Sequence, residues 1–507
     1  MVKISYENVT GGGSVAKSCT KHFSGGKKMK KKVLALLLVA AMGASMLVGC
    51  GGGDTTQKPA DKPNVETPGD STDKEPAGSE DTTDAAKGSV YMLNFKPETD
   101  QQWKDLAKIY TDKTGVEVTI LTAAEGTYST TMQAEMAKDK APTIFNIGNV
   151  TAAQEWNDYT YDLKDSELYK HLADKSLVIN YDGKVAGVAN CYECYGIIYN
   201  KTILTKYCGV EGAVIKSLDE LNSLATLKAV AEDINNRVDE INKAIGTHLT
   251  GAFASAGLDG GSNWRFSGHL AGVALYYEFL EDGCDLIAGE EAIDGKYVPN
   301  FKEVWDMYVG TSSADPKTLA SGTYNAEMEF GMGEAVFFQN GNWEYAPLTN
   351  ADNGYEVKDE DLGMMPIYFG VDDANQGLCV GTENYWAVNG KASQDDINAT
   401  LAFLEWVVTS DEGRDAITNK MGLSAPFDTF TGDFEAKNAF VKDNNAYMAA
   451  GKTAVAWSFN ATPNVDDWRA GVIAPLTAYT EGTGSWDDVT KAFVDGWAEQ
   501  WELAHAE

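Results

Sequence analysis

Few residue patterns in this chain could carry out covalent chemistry. Cys191-Tyr192-Glu193-Cys194 is a CxxC sequence, a spacing that suits zinc binding or thiol–disulfide exchange. A zinc site would also need Cys208 or a distant histidine, because no second CxxC follows. Packed thiols are therefore the main prediction, and a metal or redox role is the alternative. The sequence has no HExxH, GxSxG, GxxxxGK[ST] or EF-hand pattern. We predict a protein that is not an enzyme and uses no metal or cofactor.

The charge of the chain restricts its partners. The 507 residues include 41 Lys+Arg and 75 Asp+Glu, a formal net charge of −34. Nucleic acids are bound by concentrated Lys and Arg, so we predict no nucleic-acid partner. An acidic surface is also repelled by anionic lipid headgroups, which leaves a covalent anchor as the means of membrane attachment.

Cys50 occupies the position of such an anchor. Five lysines within residues 27–32 precede an apolar run over 33–48, which is typical of an export signal and too short to span a bilayer. Leu47-Val48-Gly49-Cys50 resembles the lipobox of bacterial lipoproteins, in which the cysteine is lipidated and becomes the mature N-terminus. The alternative is a plain signal peptide with a chance cysteine. The resemblance implies a protein at the cell membrane, lipid-anchored and facing the outside.

The regions around this cysteine divide into three. Residues 1–28 are interpreted as a non-native extension, translated from a ribosome-binding region, because a new start follows at Met29. Residues 29–49 are predicted to be the signal peptide. Residues 50–88 hold the lipidated cysteine and an acidic tether with a single Val, which is predicted to be disordered because it cannot bury enough apolar surface.

Beyond the tether, strand and helix patterns alternate at the spacing of βαβ units, which predicts an α/β fold with parallel strands. Strands are predicted over 90–95, 116–121 and 143–147, and helices over 98–114 and 128–138. Ligands on such sheets bind beyond the carboxyl ends of the strands. Tyr128 and Asn146 lie at these ends and are candidate ligand-binding residues. Farther on, Ser217-Leu218-Asp219-Glu220 is predicted to cap a long helix with an apolar face.

Six short motifs follow one another between residues 88 and 504. They are GVEV (115–118), APTIFN (141–146), GKVAGV with GIIYN (183–200), GEA with NGNW (333–343), LAFLEWVVTSDEG (401–413) and DVTKAF (488–493). Each is weak alone, but in this order they resemble the extracellular solute-binding proteins of carbohydrate ABC importers, family 1, which includes maltose-binding protein. Thr143 stands where this family usually has Asp. The proline that the family usually has near residue 190 is replaced by another residue in this sequence.

The resemblance implies a two-lobed periplasmic-binding-protein-like fold. Each lobe is expected to hold a mainly parallel sheet flanked by helices, with interleaved chain crossings at a hinge. The expected N-terminal lobe is 89–190 plus 381–425, and the expected C-terminal lobe is 191–377 plus 426–507. Hinges are placed near Asn190, Gly377 and Ala425.

The resemblance also implies a ligand site between the lobes. Aromatic rings can cover the apolar face of a sugar while polar side chains replace its water. The candidate residues are Tyr128, Asn146, Glu193, Trp264, Arg265, Trp343, Tyr385, Trp386 and Trp457. Other roles stay open: a hinge salt bridge for Glu193, a carboxylate partner for Arg265, and core packing for Trp343 or for one of Tyr385 and Trp386.

The predicted function is that of a monomeric, membrane-anchored receptor that binds a sugar, expected to be an oligosaccharide, and delivers it to ABC permease subunits. The alternatives are a surface carbohydrate-active enzyme and a carbohydrate-binding adhesin without a role in transport. A polyol, an amino sugar or a peptide also stays open as the ligand.

Overall fold

The computed structural model describes residues 88–505 except 125, 176, 321–323, 383–384 and 437. The predictions for residues 1–87, which concern the extension, the signal peptide, Cys50 and most of the tether, lie outside the described residues. Within the described part, no helix has both the length and the hydropathy needed to cross a membrane.

The first sheet has the strand order β2-β1-β3-β10-β5-β4. Its strands are β1 (Val90–Asn94), β2 (Val118–Thr122), β3 (Ile144–Ile147), β4 (Val178–Tyr181), β5 (Lys184–Ala189) and β10 (Tyr385–Val388). The second sheet has the order β11-β9-β6-β7, with β8 also paired to β6. Its strands are β6 (Glu193–Asn200), β7 (Phe337–Gly341), β8 (Leu362–Met365), β9 (Gln376–Gly381) and β11 (Thr453–Ala456). The chain therefore changes sheet between β5 and β6, between β9 and β10, and again before β11.

Helices pack on both sheets. They are α1 (Asp100–Thr114), α2 (Tyr128–Met136), α3 (Val150–Glu155), α4 (Glu167–His171), α5 (Lys201–Tyr207), α6 (Leu224–Asn236), α7 (Val238–Ile245), α8 (Ala271–Asp282), α9 (Val298–Gly310), α10 (Pro316–Leu319), α11 (Ala326–Gly331), α12 (Tyr345–Thr349), α13 (Gln394–Thr409), α14 (Asp411–Asp415), α15 (Ala439–Ala449), α16 (Val465–Glu481) and α17 (Trp486–Ala504). A π-helical turn, Arg265–Leu270, leads into α8.

The sheets are mixed, which corrects the expectation of mainly parallel sheets. The pairs β1–β2, β1–β3 and β9–β11 are parallel. In contrast, β10 runs antiparallel to β3 and β5, and β6 runs antiparallel to β7, β8 and β9. A two-residue turn at Asp182-Gly183, both with positive φ, joins β4 and β5 into a further antiparallel hairpin.

The helix predicted after Ser217 begins later than expected. Residues 218–220 form a 3-10 turn, and α6 begins at Leu224. Ser223 caps α6 because its side chain accepts a hydrogen bond from the backbone N–H of Thr226. The apolar pattern that suggested one long helix is divided at Arg237, between α6 and α7.

Two expected chain crossings lie at different residues in the structure. Gly377 lies inside β9, so the second sheet continues to Gly381. Phe427 and Phe430 pack in the same core cluster as Val90 of β1 and Trp386 of β10. The core on the first sheet therefore extends beyond residue 425.

Candidate functional site

The two sheets meet where β1 ends and β6 begins. Lys96 follows β1, and its Nζ lies 2.7 Å from Oε1 of Glu193, the first residue of β6. The same Nζ lies 5.6 Å from the ring centre of Trp343, just after β7. Lys96 and Glu193 are 8% and 1% exposed. Side chains from both sheets therefore converge at one buried junction.

This ion pair is electrostatically stable. Burial alone would lower the pKa of Lys96, but the carboxylates of Glu193 and Glu98 outweigh it and hold that pKa well above its usual value. Lys96 therefore stays charged. Burial, together with Glu193, raises the pKa of the neighbouring Cys191 thiol well above its usual value.

Six rings form an aromatic cluster beside this ion pair: Tyr195, Trp264, His269, Trp343, Trp457 and Phe459. His269 is at the centre, stacked on Tyr195 with ring centres 4.0 Å apart and an interplanar angle of 4°. Its ring centre lies 4.9 Å from Trp264 and 5.5 Å from Trp343. Trp264 and Trp343 are half-buried, whereas Trp457 is only 2% exposed. The two half-buried tryptophans are the members with the largest surface available to a ligand.

Local backbone features position these rings. His269 lies in the π-helical turn that directly precedes α8. Such turns are frequent at functional sites. Gly341, at the end of β7, allows the Trp343 ring to fold back over the strand, because a Cβ at this position would overlap that ring. At Gly381 a Cβ would lie 2.6 Å from Cγ of Trp457. Both glycines thus provide room for a tryptophan.

A second charged pair borders the cluster. The Arg265 guanidinium lies over the Trp264 ring, 4.3 Å from its centre, and its Nη2 is 3.7 Å from Oε1 of Glu344. Asn340 Nδ2 donates to the same Glu344 oxygen at 2.6 Å, and Trp343 Nε1 donates to Asn340 Oδ1 at 2.7 Å. Burial raises the pKa of Glu344 to about 7 although Arg265 acts to lower it. This pair is thus less strongly coupled than Lys96–Glu193.

His269 remains neutral in this setting. Burial, followed by the positive charges of Arg469, Arg265 and Lys96, lowers its pKa well below the usual value. A neutral ring among aromatic neighbours acts as a flat packing surface with polar edges.

The structure brings Glu193, Trp264, Arg265, Trp343 and Trp457 together, five of the predicted ligand-binding residues. Tyr128 and Asn146 lie on the first sheet and contact each other, because the Asn146 backbone N–H donates to Tyr128 Oη at 2.6 Å. Asn146 is 4% exposed, and neither polar atom of its side chain has a hydrogen-bond partner among the described residues. Their roles in binding remain predictions.

Tyr385 and Trp386 lie apart from the aromatic cluster. Trp386 is 1% exposed and packs between Trp103 of α1 and Phe427. Tyr385 faces the opposite side of the first sheet, in a core cluster with Ile147. Both were predicted to bind ligand, but their burial leaves little surface for contact, so they are not included in the site proposed below.

Sequence reasoning did not single out Lys96, Tyr195, His269, Asn340 or Glu344. Lys96 directly follows the first predicted strand, 90–95. Its position at the end of a strand is the feature of the sequence that could have revealed it. Asn340 lies in the NGNW motif, three and four residues before its partners Trp343 and Glu344. Tyr195, His269 and Glu344 are recognised through contacts with residues distant in the sequence.

The two cysteines of the CxxC sequence belong to different cores. Cys191 packs in the cluster on the first sheet and Cys194 in a cluster on the second. Both are free and buried, and burial is the main cause that raises both thiol pKa values. A high thiol pKa opposes thiolate chemistry, so this geometry favours the packed-thiol interpretation.

Comparison with known proteins assigns the family. The model of the bacterial extracellular solute-binding protein family matches residues 105–447, and the chain belongs to this family. Among curated proteins, none matches the chain in sequence.

Solved structures share the fold. The GacH receptor of Streptomyces glaucescens, solved unliganded and with acarbose, is 18% identical, with a TM-score of 0.58 over 82% of this chain and 99% of that one. A chitin oligosaccharide binding protein is 16% identical, with a TM-score of 0.60 over 84% and 100%. A Bacillus licheniformis sugar transporter in complex with stachyose is 18% identical, with a TM-score of 0.57 over 81% and 100%. The predicted two-lobed α/β fold is confirmed.

Proposed function

We propose that this chain is the receptor of an ABC importer and that it binds an uncharged saccharide, most simply an oligosaccharide, between its two lobes. The observation that carries the proposal is the aromatic cluster, which lies at the junction of the two sheets and is bordered by two ion pairs. The first lobe comprises the first sheet and its helices, and the second lobe comprises the second sheet and its helices.

The aromatic cluster fits the apolar face of a sugar ring. Pyranose rings present C–H groups that pack against indole surfaces, and the half-buried Trp264 and Trp343 are 6.0 Å apart between ring centres. An oligosaccharide offers successive rings to such surfaces. A small polyol has no ring to stack, so the geometry favours the saccharide.

The charges of the site favour a neutral ligand. Lys96 is paired with Glu193, and Arg265 lies near Glu344, so each of these two cationic groups already has a carboxyl group beside it. A charged ligand would have to disrupt a buried pair, which costs about 3–5 kcal/mol. A saccharide instead needs several hydrogen bonds of about 0.5–1.5 kcal/mol each, added to stacking, to reach about −8 kcal/mol at micromolar affinity.

The structural neighbours add support. Acarbose and stachyose are the ligands named for two of them, and those proteins share this fold. We further propose that Cys50 carries the lipid anchor and that the closed, ligand-bound form engages the permease subunits. The chain would act as a monomer, without catalysis or cofactor.

Calorimetric titration of the purified protein with maltotriose, raffinose and N,N′-diacetylchitobiose tests the proposal. We expect micromolar binding of at least one of these, and at least tenfold weaker binding by Trp343→Ala, because the substitution removes a stacking surface. Trp501→Ala is the matched control, since Trp501 is half-buried on α17 and stacks on His505. It should leave the affinity unchanged.

Three results would contradict the proposal. If circular dichroism shows that the protein is folded and none of the three saccharides binds, the proposal that the ligand is a saccharide is wrong. Continued release of shortened saccharide from the same mixtures would favour the carbohydrate-active enzyme. Binding that requires multivalent glycans and leaves the free oligosaccharides unbound would instead favour the adhesin.

A further inference from the structure

A small cavity lies in the second lobe, next to the aromatic cluster. Phe253, Phe266 and Phe338 supply much of its apolar wall, and Arg265, Tyr308 and Gln339 supply polar groups. Arg265 joins the two regions, because the same guanidinium that lines the cavity lies over Trp264. We call this space the Tyr308 cavity.

Three polar atoms of the cavity lining are buried without a hydrogen-bond partner among the described residues. They are Tyr308 Oη, Gln339 Oε1 and Arg265 Nε. Tyr308 and Gln339 are 1% and 5% exposed. Buried polar groups in folded proteins are almost always hydrogen-bonded, so three orphans around one cavity indicate a group that binds there.

These side chains are held in place by contacts on their other sides. Gln339 Nε2 donates to the Arg265 carbonyl at 2.7 Å, which directs the amide. The Tyr308 ring packs 4.7 Å from Phe253 and 6.3 Å from Phe266, between ring centres. Ser255 also lines the cavity, but its N–H and Oγ already donate to Glu329. The unmet hydrogen-bonding capacity is therefore one acceptor, one N–H donor and one hydroxyl.

We propose that the Tyr308 cavity receives the acetamido group of an N-acetylated sugar. This inference rests on the proposed function and names the class of saccharide. The acetamido carbonyl accepts from Arg265 Nε or Tyr308 Oη, its N–H donates to Gln339 Oε1, and its methyl packs against the phenylalanines. Donor, acceptor and apolar surface are thereby all used at once.

Other groups fit the lining less well. A sugar hydroxyl could meet the polar atoms but would leave the phenylalanine wall facing a polar group. A carboxylate would meet Arg265, but it would leave Gln339 Oε1 facing another acceptor. A simple alkyl group would leave all three polar atoms unbonded, at a cost for each.

The test compares matched sugar pairs that differ only in an acetamido or a hydroxyl group at C2. The pairs are N-acetylglucosamine with glucose, N-acetylgalactosamine with galactose, and N,N′-diacetylchitobiose with cellobiose. Affinities are measured by calorimetry, or by competition where binding is weak. We expect at least one acetamido member to bind more than tenfold tighter than its partner.

Tyr308→Phe removes only the orphan hydroxyl. The melting temperature of the free protein should hold or rise, because no hydrogen bond visible in the structure is lost, while the preference for the acetamido sugar should fall severalfold. Gln339→Leu should reduce the same preference. Tyr277→Phe is the matched control: Tyr277 Oη donates to Gln376 Oε1 at 2.9 Å, away from the cavity. It should lower the melting temperature and leave the preference unchanged.

The outcomes separate this inference from the function on which it rests. Equal affinities within every pair, or a preference that both Tyr308→Phe and Gln339→Leu leave intact, overturn the inference while saccharide binding stands. If neither these sugars nor maltotriose and raffinose bind, the proposed function fails, and the inference fails with it.

Discussion

At the scale of single residues, the two ion pairs of the site differ in a way that has consequences for stability. Lys96 and Glu193 are in direct contact at 2.7 Å, whereas Arg265 and Glu344 are 3.7 Å apart. The longer distance leaves the desolvation of Glu344 only partly compensated. Its pKa is therefore raised to about 7, although a guanidinium is nearby.

This shift predicts a pH-dependent loss of stability. In the unfolded chain Glu344 ionises near its usual pKa of 4.5, while in the folded protein it keeps its proton to about pH 7. The contribution to stability is thus fully present below about pH 4.5 and is lost as the pH rises to 7. Glu344→Gln cannot ionise. Relative to wild type, its free energy of unfolding should rise over this window by up to about 3 kcal/mol.

Urea unfolding of both proteins at several pH values between 4 and 8 measures this difference. Each pair of curves is recorded in the same buffer, so titrations shared by the two proteins cancel. A difference between variant and wild type that stays constant with pH would show that Glu344 ionises normally in the folded state.

At the scale of secondary-structure elements, β7 shows how a strand end can position an aromatic ring of the proposed binding site. Gly341 is its last residue, and the Trp343 ring occupies the space where a Cβ would be. Gly341→Ala should therefore displace the ring and lower stability by about 1–3 kcal/mol. Saccharide affinity should fall at least as far as in Trp343→Ala.

Gly471→Ala is the control for this substitution. Gly471 is an exposed position within α16 with nothing near its would-be Cβ, so alanine there should stabilise the protein by about 0.5–1 kcal/mol without altering binding. For both variants, calorimetry measures the saccharide affinity and urea unfolding measures the stability. Full affinity in Gly341→Ala would mean that the position of this ring is unimportant for the ligand.

The elements also show what the sequence can and cannot predict. Local periodicity located β1, α1, β2, α2 and β3 to within a few residues, because burial on one face leaves a repeating pattern. The direction of β6 and β10 was not predictable, since it depends on which strands they join in space. Likewise Lys96 pairs with a residue 97 positions away, and Gln339 bonds to a carbonyl 74 positions away. Such contacts leave no local signal.

At the scale of the whole molecule, the interleaved chain determines how the lobes can move. The crossings after β5, after β9 and before β11 connect the sheets at several points, which limits relative motion to bending about these segments. Cys191 and Cys194 belong to cores on different sheets although only two residues separate them. The first crossing is therefore short and fixed at both ends.

This arrangement predicts closure on ligand binding. A saccharide that contacts Trp343 on the second lobe and the region of Lys96 on the first lobe has its full set of contacts only when the lobes are together, so binding must shift the population toward the closed form. The radius of gyration from small-angle X-ray scattering should fall when a saccharide identified by calorimetry saturates the protein. Trp343→Ala, at the same saccharide concentration, should show a smaller decrease because fewer molecules are occupied. A radius unchanged at saturation would contradict closure on binding and would mean that the free protein is already closed.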